Sequence, residues 1–152
     1  MTDASDPVEN FKHATQSTAR ALSGREDVEV SFGGHIAELS DKSIKLPALP
    51  KNLEDAEAQL IRGLADTCAL RLHYHDEALH QKLVPAEPKA RAAYQALEEA
   101  RVEAVGTADY PGVATNIEAA LKAEAKRQRL DHATNMDDAP LSEAIRFMAR
   151  ES

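Results

Sequence analysis

The chain has 152 residues, a formal net charge of −8 and a single cysteine, Cys68, and its low aromatic content (4%) favours close-packed helices over a β-sandwich. This length predicts one domain over residues 1–152, and no apolar run approaches the ~20 residues that cross a membrane. The acidic charge argues against nucleic acid and acidic lipid surfaces as partners, while the polar N-terminus and lone cysteine favour the cytoplasm over a secreted location.

The first third of the sequence predicts one helix followed by two short strands. Asp6 and Pro7 are typical of a helix start, and Gly24 is typical of a helix stop. Apolar and polar residues alternate over 28–32, which predicts a half-buried strand. A second extended segment is expected over 43–50, where two prolines restrict it to the edge of a sheet. Two short strands need helices to cover them.

The middle of the sequence predicts two long helices. Residues 54–80 contain no proline and carry apolar side chains at helical spacing, which predicts one continuous helix with any bend at Gly63. Pro88 is well placed to open the next helix, and Gly106 to end it. On that second helix, the stripe predicted to face inward is Tyr94, Leu97, Arg101, Ala104 and Val105.

Two further helices are predicted after the turn at 108–112. Thr115 and Glu118 have the spacing of a capping box at the start of the first. Pro140 is expected to open a short last helix. The sum is about five helices and two short strands, which is a predominantly helical α+β fold.

The segment RLHYHDEALH (71–80) is the densest group of potential ligands in the chain. On a continuous helix, His73, Asp76 and His80 are separated by three and four residues and share one face. Such a set can hold zinc or cobalt, because imidazole nitrogen and carboxylate oxygen suit both metals. It can equally form hydrogen-bonded packing in which the carboxylate fixes a histidine tautomer. His75 is expected to point toward the apolar stripe.

Arg101 raises a separate question, because a guanidinium on an inward-facing stripe needs a carboxylate or carbonyl partner. Asp66, Asp76 and Glu98 are the candidates, and such a pair would tie the two long helices together. No catalytic residues are predicted, since nucleophile-elbow, phosphate-loop and intact zinc-peptidase motifs are missing from the sequence. The residues predicted to form a structural polar network are Asp66, Arg71, His75, Glu98, Arg101 and Glu103.

Four motifs carry a resemblance to a known family. They are LPALPKNL (46–53), RGLADTCALRLHYHDEALH (62–80), PAEPKARAAYQALEEARVEAVG (85–106) and YPGVATNIEAAL (110–121). In this order and spacing they resemble the N-terminal region of the CobT subunits of aerobic cobaltochelatase, over nearly the whole chain. The resemblance implies a role in the ATP-dependent insertion of cobalt into hydrogenobyrinic acid a,c-diamide during cobalamin biosynthesis.

The resemblance also implies partners and a domain organisation. The partners are an AAA+ ATPase subunit and a large tetrapyrrole-binding subunit, and the full-length protein is expected to form a homo-oligomeric ring. The complex uses ATP with magnesium, and cobalt, but no cofactor is expected on this domain. Family members continue into an acidic linker and a von Willebrand A domain, whose metal-binding motif this sequence lacks. We therefore expect an N-terminal assembly domain without catalysis of its own.

The alternative hypothesis is a domain that binds or delivers a divalent metal. It would use His73, Asp76 and His80, with Glu98 or Glu103 as a further ligand.

A weaker likeness links the chain to zincin-like domains that accompany von Willebrand A domains. In RGLADTCALR (62–71), Thr67 and Cys68 stand where that pattern has its first histidine and its glutamate, and Arg71 stands at the second histidine. Zinc hydrolysis needs those ligands. In a second frame, DEALH (76–80), Asp76 stands in place of the first histidine. The hypothesis is a degenerate zincin-like domain, and if the chain descends from a zincin, it has lost the peptidase chemistry.

Overall fold

The computed structural model describes residues 6–127 together with Ile145 and Met148. The predominantly helical α+β class is confirmed, with five helices and a three-stranded sheet in the described part of the chain. The helix predicted to open at Pro140 lies largely outside the described residues. The elements in chain order are α1 (Pro7–Ser23), β1 (Glu29–Gly34), β2 (Glu38–Leu39), β3 (Ser43–Pro47), α2 (Asp55–Tyr74), α3 (Glu77–Leu83), α4 (Pro88–Asp109) and α5 (Pro111–Arg127).

Helix α1 begins and ends where its sequence predicts. The Asp6 carboxylate accepts a hydrogen bond from the backbone N–H of Val8 at 2.9 Å, and Pro7 is the first helical residue. Gly24 ends the helix with φ at +66°, a left-handed conformation that glycine adopts without strain.

The sheet has the order β1-β3-β2, with β1 parallel and β2 antiparallel to β3. Val28, Ile44 and Leu46 are almost fully buried beneath the helices. On the outer side of β1, two side chains of α1 donate to backbone carbonyls. Gln16 Nε2 donates to Val30 O and Arg20 Nε donates to Val28 O, each at 3.0 Å.

The prediction of one continuous helix over 54–80 is wrong, because α2 ends at Tyr74. His75 has extended backbone angles, and Asp76 caps the separate helix α3 by accepting from the N–H of Leu79 at 2.9 Å. An aspartate cap ends and restarts a helix without proline or glycine. Helix α2 runs uninterrupted through Gly63, where a Cβ atom would lie 2.1 Å from the Asn116 carbonyl oxygen of α5.

The boundary between α4 and α5 also differs from its prediction. Gly106 lies inside α4, where a Cβ atom would lie 2.4 Å from the Leu70 side chain, so this glycine permits close packing. Tyr110 alone separates the two helices, and α5 begins at Pro111. The expected capping box at Thr115 and Glu118 is therefore wrong, since both residues lie within α5.

The inward face of α4 is formed by small residues. Ala96 and Ala100 are buried with Val102, whereas Leu97 and Val105, which were predicted to face inward, are exposed. Alanine at a helix contact lets the two helix axes approach closely. The alanine face of α4 therefore packs inward in place of the face that carries Leu97 and Val105. Helix α4 contacts α2 at Gly106, beside the Leu70 side chain. No helix in the described part of the chain is both long enough and apolar enough to span a membrane.

Candidate functional site

The break between α2 and α3 places His75 against helix α4. Only 6% of the His75 side chain is exposed, and its Nδ1 atom lies 2.8 Å from Glu98 Oε1. Because Glu98 is a carboxylate, the Nδ1–H group donates and the remaining nitrogen, Nε2, faces the other way. His75 Nε2 lies 3.0 Å from Glu77 Oε2 and 3.4 Å from Arg71 Nη2. A neutral ring accepts from Arg71, whereas a protonated ring donates to Glu77.

Arg101 holds the other side of Glu98. Its Nε and Nη2 groups donate to the two Glu98 carboxylate oxygens, each at 2.7 Å, and Nη2 also donates to the Tyr74 carbonyl at 2.9 Å. The Arg101 hydrogen bonds, with a further one from His75, lower the pKa of Glu98 to about 2 against the opposing effect of burial. Arg101 thus has a carboxylate partner as predicted, but Glu98 lies on the same helix, so this pair does not tie the two long helices together. The hydrogen bond from Arg101 to the Tyr74 carbonyl joins α4 to the last turn of α2 instead.

His80 is fixed by ring packing. Its residue is 6% exposed, and its ring centroid lies 4.9 Å from that of His75 and 5.0 Å from that of Tyr94. Among the described residues, nothing hydrogen-bonds its buried Nδ1 atom. A buried ring held between two others is a packing element of the α3–α4 contact. We call the group of Arg71, His75, Glu77, His80, Glu98 and Arg101 the imidazole cluster.

The three residues predicted as metal ligands have different neighbours. His73 Nδ1 donates to the Leu22 carbonyl of α1 at 2.9 Å, Asp76 caps α3, and His80 packs on Tyr94 of α4. The shared face expected for them is wrong, because it required one helix through position 75. In the part of the chain that the structure describes, no group of three or more His, Cys, Asp or Glu side chains is arranged to hold a metal ion.

Two members of the predicted polar network lie outside the imidazole cluster. Asp66 is 3% exposed and accepts a hydrogen bond from Asn116 Nδ2 of α5 at 2.9 Å. Burial raises the pKa of Asp66, although the Asn116 hydrogen bond and the charge of Arg62 act in the opposite direction. Glu103 is 2% exposed on the α2-facing side of α4. The sequence prediction did not name Glu77 or Tyr94 as site residues. The position of Glu77, two residues after His75, and the place of Tyr94 on the stripe predicted to face inward were the available signals.

A separate cavity of about 220 Å³ lies between α2, α4 and α5. Burial raises the pKa of the Cys68 thiol to about 11, so this thiol is protonated at neutral pH. Helices α2 and α4 are in contact, as the zincin-like hypothesis requires, but that ancestry stays a prediction. The polar residues that line the cavity are Thr67, Cys68, Arg71, Glu99, Glu103 and Glu124.

The fold and the imidazole cluster together define a small, predominantly helical α+β domain whose histidines and carboxylates contact one another across helix boundaries. No solved structure matches the chain. The family model of the cobalamin biosynthesis protein CobT matches residues 5–152, so the chain belongs to the CobT family. Membership implies a role in cobalamin biosynthesis as part of a cobaltochelatase, an enzyme complex that inserts a metal.

Proposed function

We propose that this domain is a non-catalytic assembly module of the cobaltochelatase. The imidazole cluster carries the proposal, because its potentially catalytic groups are engaged in joining helices. The imidazole of His75 is 6% exposed and bonded to Glu98, and Glu98 is held in turn by Arg101. A general base needs a ring nitrogen within reach of a substrate, whereas both nitrogens of His75 have protein neighbours.

The proposed partners are the AAA+ ATPase subunit and the large tetrapyrrole-binding subunit of the chelatase, in the cytoplasm. Cobalt is the substrate of the assembled enzyme, which inserts it into hydrogenobyrinic acid a,c-diamide with ATP as the energy source. The net charge of −8 favours contact between the acidic parts of this surface and basic patches on the ATPase. Such complementarity sets association rate and specificity more than affinity.

Binding of the chain to the ATPase subunit tests this proposal. We expect binding that weakens as salt rises, because charges on exposed surfaces are screened. A matching activity test compares chelatase reconstituted from subunits with and without residues 1–152. Absence of binding at low salt, together with full cobalt insertion without these residues, would contradict the assembly role.

Equilibrium dialysis with Co²⁺ and Zn²⁺ tests the metal-binding alternative. We expect no one-to-one binding of micromolar affinity, because His73 contacts α1 while His80 packs on α4. The double variant His73→Ala/His80→Ala is the control, with its helical content checked by circular dichroism. Tight binding that this variant loses would identify a metal-handling domain instead.

A further inference from the structure

Three large apolar side chains on α3 and α4 are exposed. Leu79, Leu83 and Leu97 expose 53%, 58% and 52% of their surface. Leu79 and Leu83 are one turn apart on α3. Leu79 borders one cavity with Tyr94 and Arg101 of α4, and Leu97 lies within one turn of each of these two residues. Their spacing places the three leucines on neighbouring turns of α3 and α4, and we call them the leucine surface. Exposed apolar side chains grouped in this way mark interaction sites.

The cavity beside Leu79 gives this surface an anchor point. It has a volume of about 300 Å³ and is bounded by Leu79, Tyr74, Tyr94 and the buried ring of His80 on one part of its wall, and by Asp76, Glu98 and Arg101 on the rest. Binding energy in protein interfaces concentrates on a few anchor side chains that fill such pockets. An apolar side chain from a partner matches the part of the wall formed by Leu79 and the aromatic rings, while Arg101 at the same cavity offers a contact for a charged neighbour.

Charged groups at the edge of the leucine surface indicate the sign of the charge that a partner would carry there. The Arg101 side chain is 49% exposed, and its Nε and Nη2 groups are used within the protein. Within the described residues, no acceptor faces Nη1, so this group is available to a carboxylate from outside. Lys82 is exposed on α3 between the two leucines. The carboxylates of Asp76, Glu77 and Glu98 are engaged within the protein, because Asp76 caps α3, Glu77 accepts from Gln81 and Glu98 binds Arg101.

We propose that the leucine surface binds an amphipathic helix of a partner protein, with an apolar side chain in the cavity and an acidic side chain on Arg101. Three half-exposed leucines fall well short of the roughly 800 Å² per partner in a standard protein interface, so a single helix fits better than a second copy of the chain. Helix-in-groove recognition uses such spaced apolar anchors. The inference rests on the proposed assembly function.

Single serine substitutions test whether the leucine surface contributes to binding of the chelatase subunits. Leu79→Ser and Leu97→Ser should each weaken binding to the ATPase or the large subunit by about tenfold or more, as expected for an anchor position. Ile36→Ser is the matched control, because Ile36 is 57% exposed but lies between β1 and β2. Its affinity should stay within about twofold of the wild type. If both subunits bind all three variants equally well, the leucine surface is refuted while the assembly function stands.

Two amphipathic helical peptides, with the same leucines and either glutamate or lysine at the polar positions, test the charge preference independently. The glutamate peptide should bind the full chain at least tenfold more tightly than the lysine peptide, and Leu79→Ser should abolish this binding. If neither chelatase subunit binds the wild-type chain, the assembly function fails, and selective binding of the glutamate peptide would still support the surface. Equal binding of the two peptides, or none, overturns the inference.

Discussion

Replacing Gly63 with alanine should destabilise the domain, although alanine is the better helix former. A Cβ atom at position 63 would lie 2.1 Å from the Asn116 carbonyl oxygen and 2.7 Å from Ala120 Cβ. Both atoms are fixed by the α5 backbone, so α5 must retreat by about an ångström to restore ordinary contact distances. The same retreat stretches the hydrogen bond from Asn116 to the buried carboxyl group of Asp66.

The expected loss of unfolding free energy follows from one stabilising and two destabilising contributions. Helix propensity favours alanine by about 1 kcal/mol. Overpacking costs about 1–3 kcal/mol, and a buried polar group that loses its partner costs about 1–3 kcal/mol more. The free energy of unfolding of Gly63→Ala should therefore fall by about 3 kcal/mol. With an m-value of about 1.5 kcal/mol per molar urea, the unfolding midpoint should drop by about 2 M.

Gly112→Ala provides the matched control for this measurement. Gly112 lies in the first turn of α5, and a Cβ atom there would meet nothing within 4 Å. This variant should be neutral or gain up to about 1 kcal/mol. Urea titrations followed by circular dichroism compare both variants with the wild type. A Gly63→Ala chain at least as stable as the wild type would refute the close approach of α2 and α5.

Three further predictions concern the imidazole cluster and its surroundings. The pKa of Glu98 in the folded chain is about 2, below its ordinary value of 4.5, so its contribution to stability is present above pH 4.5 and is lost as the pH falls toward 2. In urea titrations across this window, the free energy of unfolding should fall less steeply for Glu98→Gln than for the wild type. An equally steep fall would argue against the bond with Arg101. The Cys68 thiol, with its pKa raised to about 11, should react much more slowly with a disulfide reagent at pH 8 in the folded chain than in urea, whereas equal rates would contradict its burial. Asp76→Ala should cost about 1 kcal/mol in thermal or urea unfolding through the lost cap at Leu79, while Asp76→Asn should retain most of the stability.

The sequence predicts the fold class and the boundaries of α1, because local chemistry decides both. Asp6 and Gly24 act on their own backbone neighbours, and those signals do not depend on the rest of the chain. The break at His75 depends on distant residues as well as on the local cap by Asp76. His75 bonds to Glu98 and the Tyr74 carbonyl accepts from Arg101, and these contacts favour a capped restart over a continued helix. The assumption of one continuous helix through position 76 therefore assigns the side chains after it to the wrong faces.

The face of α4 illustrates a second limit of periodicity. A hydrophobic stripe is recognised by its bulky members, and Leu97 and Val105 belong to such a stripe. The buried residues of α4 are small, and Gly106 leaves room for the Leu70 side chain of α2. Because the chain is rich in alanine, hydropathy alone does not distinguish the stripe of small buried residues from the stripe that carries Leu97 and Val105. The same choice of face leaves Leu97 available at the surface.

The α1 side chains along β1 restrict how this domain can recruit another protein. Gln16 and Arg20 already occupy two carbonyls that an incoming strand would need, and the opposite edge is formed by the two residues of β2. Proteins that extend a neighbour's sheet require an open row of such groups. Strand addition is thereby disfavoured on both flanks, which protects against uncontrolled polymerisation through this sheet. For the proposed assembly role, this leaves the helical faces as the main surfaces for binding a partner.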